Sequence, residues 1–345
     1  MLVPSFTVVI PVTHSLEELR ACLDSLGRLN YPRERFQVGL VDCHVVGGVQ
    51  EFCRNYLPEI DLRASLLVLP ETDHKHPRWM IEARANEARN HAMQELPGDC
   101  FAFTEDDCTL ESDWLDRIAA VLDRETGAVG GPELLPKGLG WLAEALDVVL
   151  NSRLGSGGMR RGDRDWSREY YPRKQNMAFP AQVIARTGGF PGDKPVGGEL
   201  EMAIRVRQLG LRIVYLPDNP VWHRRITTFS SFVRLSASIA RENVRVLRRK
   251  RLFHRSLYLA VLGAAFAAIL LVVSAPFSAA ALAATLVLGA IYFSMLLAAA
   301  VRAGIRTGSA STGLGVLLLV PAHHLSLMVG TARGALAHAA RDGSG

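Results

Sequence analysis

Cys100-Phe101-Ala102-Phe103-Thr104-Glu105-Asp106-Asp107-Cys108 is the stretch on which the reading of the fold turns. Four apolar residues run without a break into three consecutive acids. A short apolar run of this kind reads as a buried strand, and adjacent carboxylates at its carboxyl end repel one another unless a cation or a ligand's donors offset the repulsion. Working outward, Thr7-Val8-Val9-Ile10-Pro11-Val12 is a β-branched run, the pattern of a strand covered on both faces. Phe36 to Val41, ending in Asp42, and Leu62 to Leu69 read the same way. Between them, Leu16, Leu19, Leu23 and Leu26 recur at helical spacing behind Ser15, and Trp79 to Leu96 predicts another helix. Strands alternating with helices imply an α/β fold with a mostly parallel sheet, whose site lies outside the carboxyl ends of the strands.

Beyond the acids, Trp114 to Leu122 and Trp141 to Leu150 read as helices, whereas Gly127 to Gly131 reads as the start of a loop-rich region. Gly155 to Tyr171, rich in glycine, arginine and aromatics, has the composition of a surface loop able to close over an anionic ligand. Order returns at Asn176 to Ile184, followed by a turn at Gly188-Gly189-Phe190, a helix over Leu200 to Leu209 and a strand over Arg212 to Leu216.

The chain of 345 residues is 49% apolar, and the apolar excess is local: Ser256 to Val301 holds no Asp, Glu, Lys or Arg. That exceeds the roughly 20 residues needed to span a bilayer core. Spans are expected at about 257–274 and 279–301, with a third apolar segment at 313–330 interrupted by Pro321, His323 and His324 that spans, re-enters or lies in the interface. The resulting division is an α/β domain over 1–235, a basic juxtamembrane segment over 236–255, a membrane domain over 256–335 and a tail over 336–345. The net charge of +5 is concentrated in Arg241, Arg245, Arg248, Arg249, Lys250, Arg251 and Arg255, a collar that marks the cytoplasmic side of a membrane. No aromatic and basic platform accompanies it, which excludes nucleic acid as partner. Five unpaired cysteines and no secretory leader pattern fit folding in the cytoplasm.

Oxygen ligands such as Asp107 suit Mg²⁺ or Mn²⁺ beside nucleotide phosphates; an acidic solvated turn is the plain alternative. Asp42 is placed to accept from a base or ribose, or simply to cap a turn. Arg89, with Asn90, either approaches a nucleotide or is solvated on its helix. Glu199 and Glu201 open a helix behind Gly197-Gly198, where one carboxylate can act as a base on an attacking hydroxyl. His223 is a metal ligand, a phosphate donor or a structural histidine.

Pro11, Asp42, Ala88-Arg89-Asn90, Thr104 to Cys108 with Trp114-Leu115, Asn176 to Phe179, Gly188-Gly189-Phe190, Glu199 to Arg205 and Gly210 to His223 occur in the order seen in family 2 glycosyltransferases. Over residues 5 to 230 the chain resembles that family, which implies the GT-A fold, a Rossmann-like, mostly parallel sheet with flanking helices. Asn151 to Gly158 and the apolar C-terminal segments resemble the membrane-attached succinoglycan-type branch. The resemblance implies inverting transfer, with Pro11, Asp42, Arg89, Glu105 and Asp106 on the nucleotide sugar. It makes Asp107 and His223 the metal ligands, Asp42 the contact to the uracil of a UDP-sugar, and Mn²⁺ or Mg²⁺ the cofactor. The family's Glu-Asp pair, six residues before an Arg, falls on Gly198-Glu199, so Glu199 becomes the base; Glu201, Arg173 and Trp222 remain acceptor or supporting candidates. Arg224-Arg225-Ile226-Thr227 stands where processive synthases carry Gln-x-x-Arg-Trp, which favours single addition. The expected acceptor is lipid-linked, and the expected location is the cell inner membrane, multi-pass, with the catalytic domain cytoplasmic. A polyprenyl-monophosphate transferase and a non-catalytic membrane scaffold are the alternatives.

Overall fold

Strand β1 (Phe6–Val12) is buried along its whole length, as a strand covered on both faces must be. The computed structural model describes residues 3–71, 78–136, 138–156, 170–191, 197–224 and 228–342. After β1 the chain runs through α1 (Leu16–Gly27), β2 (Phe36–Asp42), α2 (Val49–Tyr56), β3 (Ala64–Val68), α3 (Arg78–Glu95), β4 (Cys100–Phe103), β5 (Cys108–Leu110), α4 (Trp114–Ala119), β6 (Thr126–Gly130) and β7 (Glu133–Leu134). It continues with α5 (Trp141–Leu150), α6 (Arg153–Ser156), β8 (Met177–Pro180), α7 (Ala181–Thr187), α8 (Gly198–Gln208), β9 (Arg212–Tyr215) and β10 (Val221–His223). Four long helices complete it: α9 (Phe229–Arg249), α10 (Leu257–Ser274), α11 (Ala279–Thr307) and α12 (Ala310–Asp342).

A seven-stranded sheet takes the order β3-β2-β1-β4-β8-β6-β9. β1 lies parallel between β2 and β4, and β8 runs antiparallel to β4 and β6. The pleat sends alternate residues of β1 to opposite cores: Val8, Ile10 and Val12 pack with Leu19 and Leu23 of α1, while Val9 packs with Ala88 and Ala92 of α3 and Met202 of α8. Ser15 caps α1, its hydroxyl accepting from the Glu18 amide at 3.2 Å. A second sheet, β5-β10-β7, stands beside the acids and carries His223.

Gly127 to Gly131 is read from sequence as the start of a loop-rich region, but Thr126–Gly130 forms the buried strand β6. Glycine is required there by crowding: a Cβ on Gly127 would lie 2.4 Å from Val206 and 2.7 Å from Leu211. The Gly155 to Tyr171 loop lies almost wholly outside the described residues.

The chain divides into two compact units, residues 1–136 with 159–225, and residues 137–158 with 226–345. In the second, Leu146 and Val149 of α5 form a core with Phe232 of α9, Ala300 of α11 and Leu319 of α12. Three helical stretches, Leu257–Phe277, Ala279–Thr307 and Ala310–Ala337, are long and apolar enough to cross a membrane. α12 passes through Pro321 without ending and reaches Asp342, so most of the tail expected over 336–345 is helix.

Candidate active site

Parallel pairing of β1 with β2 and β4 brings three carboxyl-terminal ends together, presenting Thr13-His14, Asp42 and Glu105-Asp106-Asp107 side by side. All three acids after β4 are buried, and each has its own partners. Glu105 meets Lys174 Nζ at 2.8 Å and Arg89 Nη2 at 3.1 Å, and accepts from Gln175 Nε2 at 2.8 Å. Burial pushes its carboxyl up, but the charges of Lys174 and Arg89 outweigh this and hold it at about 2. Asp106 accepts from the amides of Thr13 and His14, both at 2.8 Å, and so fixes the turn after β1.

Asp107 faces two imidazoles, His223 Nε2 at 2.8 Å and His14 Nε2 at 3.4 Å. Burial raises its carboxyl, while the charge and hydrogen bond of His223 lower it, and the net shift is downward. His223 is held by Glu133 of β7 through Nδ1, which fixes the ring and leaves Nε2 toward Asp107. His14 binds Asp106 Oδ1 through Nδ1 at 2.6 Å. Burial alone would lower the His14 ring, yet the Asp106 bond and the charge of Asp107 raise it to about 9. Donor atoms of His14, Asp106 and Asp107 lie within 4.8 Å of one another, as do those of Asp107, Cys108 and His223. Burial keeps the Cys108 thiol protonated, so carboxylate and imidazole are the donors offered, a set suited to Mn²⁺ or Mg²⁺.

Residues 4–242 match the family described as Glycosyltransferase like family 2. The chain belongs to that family. It has the GT-A fold. It is 24% identical over 218 residues to glycosyltransferase AglE of Haloferax volcanii, covering 62% of this chain and 65% of the relative. It is 22% identical over 270 residues to the probable glycosyltransferase YdaM of Bacillus subtilis, covering 74% of this chain and 61% of the relative. The chain therefore matches less than two thirds of either relative's length. The mannosyltransferase PcManGT from Pyrobaculum calidifontis, solved with GDP-Man and Mn²⁺, shares the fold at a TM-score of 0.59 and 19% identity, over 97% of this chain and 88% of that one.

Other motifs of the chain have structural work. Asn90 clamps Phe190, accepting its amide at 2.8 Å and donating to its carbonyl at 2.7 Å. Gly188 and Gly189 adopt φ of 78° and 74°, the left-handed turn that glycine permits. Arg205 donates to the carbonyls of Thr187 and Gly189 and pairs with the buried Glu201 at 2.8 Å, so Glu201 braces this turn. Glu199 is half-buried, and no hydrogen bond or ion pair to it occurs among the described residues. Gly198 leaves room for α3: a Cβ there would lie 2.9 Å from Asn86 Nδ2.

Asp42 is buried at the end of β2 and accepts from the His44 amide at 2.8 Å, and Pro11 lies opposite Val41 within the sheet. Arg89 is buried against Glu105 and Asn86 rather than solvated on its helix. Arg173 stacks over the Tyr171 ring, 4.1 Å from its centroid. Trp222 binds Glu111 Oε1 at 2.6 Å and, one residue from His223 in β10, points to the opposite face of that strand. Sequence reading missed His14, Glu133 and Gln175; the position of His14 just after β1 is the one signal that could have found it.

Proposed function

We propose that the protein is an inverting, single-addition transferase that moves a sugar from a nucleoside diphosphate donor to a lipid-linked acceptor. The observation that carries this reading is Asp107 at the strand ends, faced by His223 and His14, in a chain whose Glu199 has no hydrogen bond or ion pair among the described residues. Asp107 and His223, with His14 beside them, would hold Mn²⁺ or Mg²⁺. Such an ion, when bound, would offset the negative charge of the diphosphate leaving group. Asp42 would accept from the nucleobase, and Pro11 would line the same end of the sheet. Arg89 and Lys174 keep Glu105 ionised as an acceptor for the ribose side of the donor. Asp106 acts through the backbone it pins, holding His14 beside Asp107. Glu199 would take the proton from the attacking acceptor hydroxyl, a step that needs a carboxylate not already bound to a cation.

Three helices long and apolar enough to span a bilayer support an acceptor confined to the membrane and a multi-pass location in the cell inner membrane, with the catalytic unit on the cytoplasmic side. The acceptor is tested by offering vesicles that contain a polyprenyl diphosphate sugar, a polyprenyl monophosphate or no polyprenyl lipid, with labelled UDP-sugars and GDP-mannose. Label is expected in the diphosphate-linked lipid. Label in the monophosphate alone, or only in a soluble sugar, would overturn the acceptor assignment.

A further inference from the structure

Among the described residues, two that are not glycine have positive φ, Arg251 at 59° and His44 at 55°. Arg251 is explained by its helix. It follows the last turn of α9, its amide donates to the Arg248 carbonyl and the Leu252 amide donates to that of Leu247, the pattern in which a helix ends on a left-handed residue. His44 ends no helix. It lies two residues past Asp42 Cα-wise only in sequence, at the carboxyl end of β2 where the candidate site stands.

The bonds of His44 run to two strands. Its amide donates to Asp42 Oδ1 at 2.8 Å, and its ring reaches the neighbouring strand, with Nε2 2.7 Å from the Leu69 carbonyl, one residue past β3. A carbonyl only accepts, so Nε2 bears the hydrogen. The next carbonyl along, that of Pro70, accepts from Nη2 of the buried Arg84 at 2.8 Å, and the Leu69 amide donates to the Asp42 carbonyl at 3.1 Å. The ends of β2 and β3 are thus tied through side chains as well as through the backbone. Glycine would adopt this conformation without cost, whereas His44 holds it with a Cβ, and its bonds to Asp42 and Leu69 offset the strain. The tie acts on Asp42. That residue is 4% exposed, its Oδ1 is engaged by the His44 amide, and no bond to its Oδ2 occurs among the described residues. A buried acceptor without a donor is costly, and a ligand's N–H would recover that cost.

We propose that His44 is a positioning residue for the donor's nucleobase: it aims the Asp42 carboxylate and fixes the exit of β3, so that the base meets an acceptor already in place. An N–H of the base offered to Oδ2 then binds without the cost of ordering that carboxylate. This role rests on the reading of Asp42 as the nucleobase contact and is independent of the metal and of Glu199, so its test needs no turnover.

The test compares nucleotides with inorganic diphosphate, which has the phosphates without the base. Calorimetric titration of the full-length protein in detergent, with Mn²⁺ present, measures UDP, GDP and inorganic diphosphate on the wild type, His44→Ala, His44→Gln and Asp42→Asn. His44→Ala is expected to weaken the nucleotide that the wild type binds by about 10-fold, the loss of one buried hydrogen bond, with diphosphate affinity unchanged. His44→Gln keeps an N–H donor near the position of Nε2 and is expected to bind within about threefold of the wild type. Asp42→Asn is expected to lose at least as much as His44→Ala, again for nucleotide alone. Equal losses of nucleotide and diphosphate in His44→Ala would report a general loosening of the fold and overturn the proposal. So would a His44→Ala that binds nucleotide like the wild type, or a His44→Gln no better than His44→Ala. Unchanged nucleotide binding by Asp42→Asn, or a wild type that binds neither nucleotide, would remove the reading of Asp42 itself and the role of His44 with it.

Discussion

Glu199 and Glu201 lie two residues apart in the first turn of α8 and differ in what meets them. Glu201 is buried against Arg205, which also holds two turn carbonyls, whereas Glu199 keeps its carboxylate unengaged among the described residues. Glu199→Gln is expected to lower turnover by about 100-fold or more with nucleotide affinity unchanged, the mark of a lost base. Glu201→Gln is expected to lower stability by about 1 kcal/mol and leave turnover per folded molecule near normal; single-turnover kinetics beside denaturant unfolding separates the two, and the reverse pattern would move the base to Glu201. Glu133→Gln is expected to weaken Mn²⁺ binding by about 10- to 100-fold, because the ring of His223 loses its anionic partner; a Mn²⁺ titration followed by electron paramagnetic resonance reads it. Asp107 was legible in sequence because three acids after an apolar strand are anomalous on their own. His14 and Glu133 were not, since each joins Asp107 only through strand pairing, and a lone histidine or glutamate carries no local signal.

At the scale of elements, the long periodic segments were readable: β1, β2, β4, α1 and α3 follow from apolar runs and helical spacing. β6 was not, because packing against Val206 and Leu211 leaves room only for glycine at 127, and glycine reads as loop. Gly127→Val is therefore expected to destabilise the protein by about 1–3 kcal/mol through overpacking, measured as a lowered unfolding midpoint. β5, β7 and β10, of three, two and three residues, are too short to leave a periodic signal, yet they carry Cys108, Glu133 and His223. Trp222 neighbours His223 in β10, and the alternation of the strand turns the two side chains to opposite faces.

At the scale of the molecule, the apolar excess after Ser256 and the arginines before it were legible as an anchor and its collar, because composition alone reports them. The membership of α5 in the second unit was not, since it depends on packing between residues about 170 positions apart. A chain ending at Arg255 would leave Leu146, Val149 and Phe232 without the cover of α11 and α12. Such a truncation is expected to aggregate without detergent while still binding nucleotide, as light scattering and calorimetry would record. The central claim is that the cluster around Asp107 performs metal-dependent sugar transfer. Its most direct test is nucleoside diphosphate release by the purified full-length protein, across a panel of UDP- and GDP-sugars in acceptor-containing vesicles, with and without Mn²⁺. The account expects release from a donor of the panel only with the metal, and none from Asp107→Asn; release that is indifferent to metal and to that substitution would contradict it.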